Sequence, residues 1–437
     1  MKTQKKHKLV NVITLGCSKN QVDSEYLLRQ LDANGIQVVH DSDSKIADTV
    51  IINTCGFIKD AKEESIDTIL NYVKAKELGN IQNLFVIGCL SQRYKLELEK
   101  EIKDVDRYFG TNDLKVIIES LGCNYKENLM GERILTTPGH YAYLKISEGC
   151  NRKCSFCAIP LIRGNYISKP VEHVIEEANF LVKSGVKEII LIAQDLTYYG
   201  IDLYQKQKLA VVLNCLTEIE GLEWIRLHYA YPAGFPKEIL KIIKNKSNIC
   251  NYLDIPFQHI SNPVLKNMRR GLTSRQTYDL VNLLRSDIPD LTLRTTLMVG
   301  HPGESQRAYD ELLEFVQKVR FDRLGVFTYS EEEDTFGAKN FEDSIPEVVK
   351  EQRASQLMEV QREISLEVNE KKIGKKFKAI IDRREGEYYI GRTEADSPEV
   401  DNEVLIKSEV PLGIGEFYNI RVIEAEEFDL IAAVVKT

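Results

Sequence analysis

Cys150, Cys154 and Cys157 stand in the run SEGCNRKCSFC, at spacings of four and three on one loop. Three thiolates so placed hold three corners of a four-iron cube and leave the fourth iron open. A fully ligated cluster moves electrons, whereas an open iron holds a small molecule by its polar groups and passes an electron into it, so the chemistry implied is radical. Zinc asks for four protein ligands, and the nearest further candidates are His140 ahead of the loop and His173 well after it. A disulfide framework belongs to small secreted domains; nine cysteines in 437 residues is an odd, sparse number with no secretory signal ahead of it.

Three further cysteines repeat one position. Over residues 8 to 125, apolar runs at 9–16, 49–54 and 84–88 alternate with helical patterns at 20–34, 58–77 and 91–101, which predicts a doubly wound parallel sheet covered on both faces. The runs end at Cys17, Cys55 and Cys89, each with a glycine beside it, Gly16, Gly56 or Gly88. All three thiols are therefore expected at the carboxyl edge of the sheet, where such folds bind ligands, and there they can converge on a second open cluster. Free cysteines are also common core residues, but that reading does not explain a threefold recurrence at strand ends. Cys123, Cys215 and Cys250 lack the pattern and are expected in the core.

Residues 136 to 335 repeat strand and helix again, with strands predicted near 143–147, 188–193, 224–229, 252–256, 292–298 and 323–328. Six units are too few to close an eight-unit barrel, so an open, partial (β/α) barrel is expected, with the cysteine loop at its carboxyl-terminal mouth. Polar groups near the same strand ends form a candidate small-molecule cradle: Gln194 and Asp195, then Asp254, Gln258 and His259, then Arg294 and the turn Gly300-His301-Pro302-Gly303-Glu304. A linking helix is predicted over 346–370. Short alternating runs across 371–437 predict a small antiparallel β-barrel of the oligonucleotide-binding type. The overall class is α/β with a β-barrel at the end.

Charge bears on the partner. Residues 371–392 carry eight Lys or Arg against three acids, but 394–429 carry eleven acids against Lys407 and Arg421 alone. Phosphate binding relies on cations, so this half of the barrel disfavours RNA and suits a basic protein. Tyr388, Tyr389, Phe417 and Tyr418 are expected as core rather than as base-stacking platforms. The net charge of -8 points the same way. The N-terminal run MKTQKKHK is expected to be a frayed tail, no apolar run reaches the roughly 20 residues of a membrane span, and the thiol usage suits a reducing cytoplasm.

Taken together, SEGCNRKCSFCAIPLIRG resembles the cluster loop of radical S-adenosylmethionine enzymes. With TLGCSKN, INTCGFI and IGCLS it is similar to the methylthiotransferases of that superfamily, over nearly the whole chain. YLKISEGCN, DIPFQHIS, VLKNMRRG and GRTEADSPEVD most resemble the branch that modifies ribosomal proteins. The resemblance implies two 4Fe-4S clusters, a radical one on Cys150, Cys154 and Cys157 and an auxiliary one on Cys17, Cys55 and Cys89. It also implies S-adenosylmethionine, a TRAM domain at the C-terminus and an external electron donor such as flavodoxin or ferredoxin. The implied target is an aspartate of small-subunit ribosomal protein S-twelve. At its β-carbon, a hydrogen that no general base can remove near pH 7 is abstracted by a 5'-deoxyadenosyl radical before a methylthio group is inserted. A sister family uses the same clusters on a tRNA adenosine, and a passive iron-sulfur electron carrier is the reading from another class. His301 stands where the family's GFPGE turn has Phe.

Overall fold

The computed structural model describes residues 9–42 and 47–435; the expected N-terminal tail, residues 1–8, lies outside them. The described residues form two compact units: those within 9–137, 143–152 and 158–180, and those within 138–142, 153–157 and 181–435.

In the first unit, β1 (Leu9–Thr14), β2 (Gln37–His40), β3 (Ala47–Thr54), β4 (Ile81–Gly88) and β5 (Arg107–Tyr108) form a parallel sheet in the order β2-β1-β3-β4-β5. Its strands are apolar on both faces because both faces are covered. Val10, Val12, Ile51, Phe85 and Ile87 pack under Leu27, Leu28 and Leu31 of the helix Ser18–Ala33 and under Ile117 and Ile118. Val50, Ile52, Leu84 and Val86 alternate to the other face, against Ile69, Val73 and Leu98. The chain then runs through β6 (Tyr141–Lys145) and a small antiparallel pair, β7 (Ser147–Glu148) with β8 (Ile167–Ser168).

The second unit is built on β9 (Glu188–Ile192), β10 (Trp224–Leu227), β11 (Ile249–Asp254), β12 (Thr292–Val299) and β13 (Arg323–Thr328), which run parallel. The sheet order is β13-β12-β11-β10-β9-β6 and it does not close, as six units require. The helix Glu347–Glu370 leads to β14 (Lys376–Glu385), β15 (Tyr388–Thr393), β16 (Val404–Lys407), β17 (Phe417–Ala425) and β18 (Leu430–Val434), a closed barrel in the order β14-β15-β16-β18-β17. Within the expected small antiparallel barrel one pair departs: β16 and β18 pair in parallel, because the connection through β17 returns the chain to β16 in the same direction. Tyr389 lies in the barrel core, Phe417 stands edge-on to Trp224 at 4.8 Å, and Tyr388 sits under the Lys407 ammonium, so these aromatics do not form a stacking platform. Cys250 is buried as expected, but Cys215 is exposed, on the outer side of a helix whose inner side is carried by Val212, Leu213 and Leu216.

Buried ion pairs tie the closed barrel to the open sheet within this unit. Glu188 of β9 accepts from Arg226 of β10 (2.8 Å) and pairs with Arg392 of β15 (2.8 Å). Arg392 also holds Asp382, which His140 reaches at 2.8 Å. Removing one member of such a set strands the others in a dry interior, at a cost of about 3–5 kcal/mol. Arg392→Met is expected to lower unfolding stability by about 3 kcal/mol, read from the denaturant midpoint at unchanged slope.

Candidate functional site

Cys17, Cys55 and Cys89 leave the sheet at the strand ends where the sequence pattern places them. Cys17 precedes the helix Ser18–Ala33, Cys55 follows β3, and Cys89 opens the helix Cys89–Glu101 directly after β4. The neighbouring glycines allow the loops to approach. Gly16 has φ +90, and a Cβ there would lie 2.7 Å from Cys55 Cβ and 2.9 Å from its Sγ. A Cβ at Gly56 would strike the backbone of Leu90 at 2.7 Å, and one at Gly88, φ +96, would meet Thr54 O at 2.6 Å. No side chain fits at these points, so the three loops close on one another.

The electrostatics show the same convergence. Burial pushes the Cys89 thiol up to about 12; Arg163 opposes this, while Cys17 and Cys55 add to it. Burial also raises Cys55, against the N–H groups of Phe57 and Gly56, with Cys17 again adding to it. Arg163 is the counter-charge: it donates to Asn20 Oδ1 (2.5 Å), Asp23 Oδ2 (2.7 Å) and Glu148 Oε2 (3.2 Å). Burial works against its charge, but Asp23, Cys89, Glu148 and Cys17 outweigh that and keep it protonated. Burial likewise works against the Glu148 carboxylate, yet Lys145 and Arg163 hold it down at about 2. Arg163 comes six residues after Cys157, on a short helix whose Ala158 and Ile162 pack on Cys89. The segment leaving one cysteine group therefore furnishes the wall and the cation of the other.

The division between the units passes through the SEGCNRKCSFC loop, with Cys150 in the first unit and Cys154 and Cys157 in the second. Gly149, φ +72, lies so close to Asn165 and Gly164 that any Cβ would collide with their carbonyls, and Cys150 N donates to Gly164 O (3.1 Å). Cys150 Sγ accepts from Arg152 N at 3.4 Å, and Cys154 Sγ accepts from Arg270 Nη1 at 3.3 Å. Ser155 is pinned three ways: its N donates to Met268 O (3.1 Å), its O accepts from Gly337 N (2.6 Å), and its hydroxyl meets His301 Nε2 at 3.1 Å.

All nine cysteines are free thiols. Among the described residues, no three His, Cys, Asp or Glu side chains are arranged to hold a single metal ion. His140 is engaged with Asp382, and His173 lines a cavity of about 240 Å³ in the first unit. A cube instead places one thiolate on each of three irons, and sulfurs that accept N–H donors are the ligands such a cluster takes. The donor set fits.

The strand-end candidates are distributed as follows. Asp195 ends the β9 turn as a cap, accepting from Thr197 N (2.8 Å) and Thr197 Oγ1 (2.6 Å), with Gln194 just before it. Gln258, φ +69, pairs through its backbone with Thr296 and Met298 of β12. Gly300 N donates to Glu304 Oε2 (3.0 Å), which also meets His259 Nε2 at 3.2 Å. Asp254 and Arg294 are brought together as an ion pair at 3.0 Å, but Arg294 lies near the start of β12, not its end, and also reaches Asp401 of the C-terminal segment at 3.2 Å. Sequence reasoning missed Arg163 and Arg270, although both lie in runs it had marked, PLIRG and NMRRG; nothing in a sequence distinguishes an arginine that faces a sulfur from one that faces water.

His301 fills the place of the expected phenylalanine as an aromatic ring. It is fully buried and edge-on to Tyr329 (5.1 Å), Phe341 (6.0 Å) and Phe156 (6.3 Å).

The fold and the two cysteine groups define a radical S-adenosylmethionine enzyme. Family models match accordingly: "Uncharacterized protein family UPF0004" over residues 9–110, "Radical SAM superfamily" over 144–316 and "TRAM domain" over 373–435. The radical S-adenosylmethionine methyltransferase TsrM from Kitasatospora setae shares the fold, with TM-score 0.56 and 13% identity over 73% of this chain and 72% of that one. The ribosomal protein uS12 methylthiotransferase RimO of Bacteroides fragilis is 56% identical over 98% of this chain and 100% of its own length. Those of Phocaeicola vulgatus and Christiangramia forsetii are 56% and 55% identical, the latter over 98% of this chain and 94% of its own length. The chain belongs to the ribosomal protein uS12 methylthiotransferase (RimO) family. S-adenosylmethionine and 4Fe-4S clusters come with membership as cofactors, and the passive electron carrier is set aside.

Burial lowers the His301 imidazole to about 4, with the Pro302 carbonyl opposing; His259 lowers it further, and Glu304 and Asp343 raise it. Below about pH 6.5 the unfolded chain takes a proton that the folded ring refuses until about pH 4. Stability is therefore expected to fall by up to about 3 kcal/mol across that window. His301→Phe is expected to remove this component in denaturant midpoints measured from pH 7 to pH 4, leaving a shallower acid slope than the native chain.

Proposed function

We propose that this chain inserts a methylthio group at the β-carbon of one aspartate of uS12, the small-subunit protein S-twelve. The reading divides the chain's labour by segment: residues 8–125 hold the auxiliary cysteines, 136–335 conduct the radical chemistry, 346–370 link, and 371–437 dock the substrate. Cys150, Cys154 and Cys157 would hold the radical cluster, and Cys17, Cys55 and Cys89 the auxiliary one. When bound, these clusters and S-adenosylmethionine supply hydrogen abstraction and a sulfur donor. The chain's own residues do the rest. Arg152 N and Arg270 stabilise thiolate charge at two radical ligands, and Arg163 does so at Cys89. Ser155, pinned to Met268, Gly337 and His301, fixes the loop between Cys154 and Cys157. Gln194, Asp195, Asp254, Gln258, Arg294 and Gly300 are proposed to position S-adenosylmethionine, with Gln258 and Gly300 offering backbone shape rather than charge.

The observation that carries a protein substrate over tRNA is the face of the C-terminal barrel. Of the eleven acids at 394–429, Asp396 and Asp401 are buried against Arg323 and Arg294. Glu399, Glu409, Glu416, Glu424, Glu426 and Glu427 are exposed, interspersed with exposed Val410, Ile414, Ile423 and Phe428. At the end of β13, Glu331, Glu333 and Asp334 are exposed near Phe327 and Phe336. Acids among apolar side chains repel phosphate and match a basic, RNA-binding protein such as a ribosomal one. The electron donor is read as a flavodoxin or ferredoxin. The setting is read as the cytoplasm, since the substrate is a ribosomal protein.

Cys154→Ala is expected to abolish S-adenosylmethionine cleavage, while Cys55→Ala keeps cleavage measurable and stops sulfur insertion; equal loss of both activities in both variants would contradict the division of labour. The triple change Glu424→Lys, Glu426→Lys, Glu427→Lys is expected to weaken uS12 binding roughly tenfold at low salt and to flatten its salt dependence. Unchanged binding would move the dock elsewhere.

A further inference from the structure

Arg270 is 4% exposed, yet it carries a permanent charge. Nη1 donates to Cys154 Sγ at 3.3 Å and Nη2 to the Pro256 carbonyl, while its guanidinium lies 4.3 Å from the Tyr231 ring centre. Tyr231 OH in turn donates to Arg270 O (2.8 Å) and lies 3.7 Å from the same sulfur. No carboxylate forms an ion pair with Arg270 among the described residues, and its buried Nε has no hydrogen-bond partner. The other deeply buried arginines described above, Arg163, Arg226, Arg323 and Arg392, each face a carboxylate; Arg270 faces a cysteine sulfur instead.

We propose that Arg270, held by Tyr231, is the residue that sets the reduction potential of the radical cluster through its Cys154 ligand. This rests on the reading of Cys150, Cys154 and Cys157 as ligands. The physics is that of charge added next to a fixed cation. One-electron reduction makes a cluster more negative by one unit, so a buried guanidinium hydrogen-bonded to a ligand sulfur stabilises the reduced form more than the oxidised form and raises the potential. In a radical S-adenosylmethionine enzyme, that potential decides whether a physiological donor can load the electron. Tyr231 acts indirectly, as a positioning residue: its ring and hydroxyl fix where the guanidinium points.

The test is an anaerobic redox titration, followed by electron paramagnetic resonance, of the reconstituted full-length chain. Cys17, Cys55 and Cys89 are replaced by Ala so that a single cluster reports. Arg270→Met is expected to load iron as the parent does and to titrate at a more negative midpoint. Arg270→Lys, which keeps the charge, recovers most of the shift, and Tyr231→Phe shifts in the same direction by less. If Arg270→Met does not load, the Lys and Phe variants decide. Midpoints that coincide across the loaded variants overturn the proposal, as does an unmoved potential combined with weakened S-adenosylmethionine binding, which would make Arg270 a substrate contact. Failure of the underlying ligand assignment looks different: Cys154→Ala would then load and titrate like the parent.

Discussion

Sulfur anions can be kept inside a protein only if positive charge or N–H groups face them, and the placement of two buried guanidiniums answers that constraint. Arg163 stands by Cys89 and Arg270 by Cys154. The two differ in their other partners: Arg163 also pairs with the carboxylates of Asp23 and Glu148 and meets Asn20, whereas Arg270 has only the Pro256 carbonyl and the Tyr231 ring. A carboxylate partner satisfies a buried arginine locally. A cysteine partner leaves part of its field for whatever the sulfur holds. The parallel sheets contribute by delivering the cysteines at their carboxyl edges, where loops need no ladder hydrogen bonds and can close around a guest.

The two cysteine groups are also joined along the chain. The residues that follow Cys157 become the Ala158 and Ile162 wall against Cys89 and end in Arg163. In the second unit, the Glu188, Arg226, Arg392 and Asp382 network fastens the C-terminal barrel to the strands that carry the mouth residues.

Much of this was legible in the sequence, for identifiable reasons. The apolar periods placed β1, β3 and β4 and all six strands of the open sheet, because buried parallel strands have little freedom in composition. The strand-end placement of Cys17, Cys55 and Cys89 was legible through its recurrence. Besides Arg163 and Arg270, other features were not legible. The parallel closure of β16 on β18 depends on the route of a connection, not on local pattern. Cys215 looked like a core residue because a small apolar side chain reads alike on either side of a helix. Arg294 was expected at a strand's end, yet it lies near a strand's start and turns to Asp401, since register is fixed by distant packing. His301 breaks the family's turn in letter only: burial keeps it neutral, and it packs as the aromatic ring the turn requires.

The most direct measurement is mass spectrometry of ribosomal proteins alongside tRNA nucleosides, from cells with and without this gene. The account predicts that a methylthio mass increment disappears from one aspartate of uS12 while the tRNA nucleosides are unchanged. Loss of a methylthio group from a tRNA adenosine, with uS12 unchanged, would contradict it.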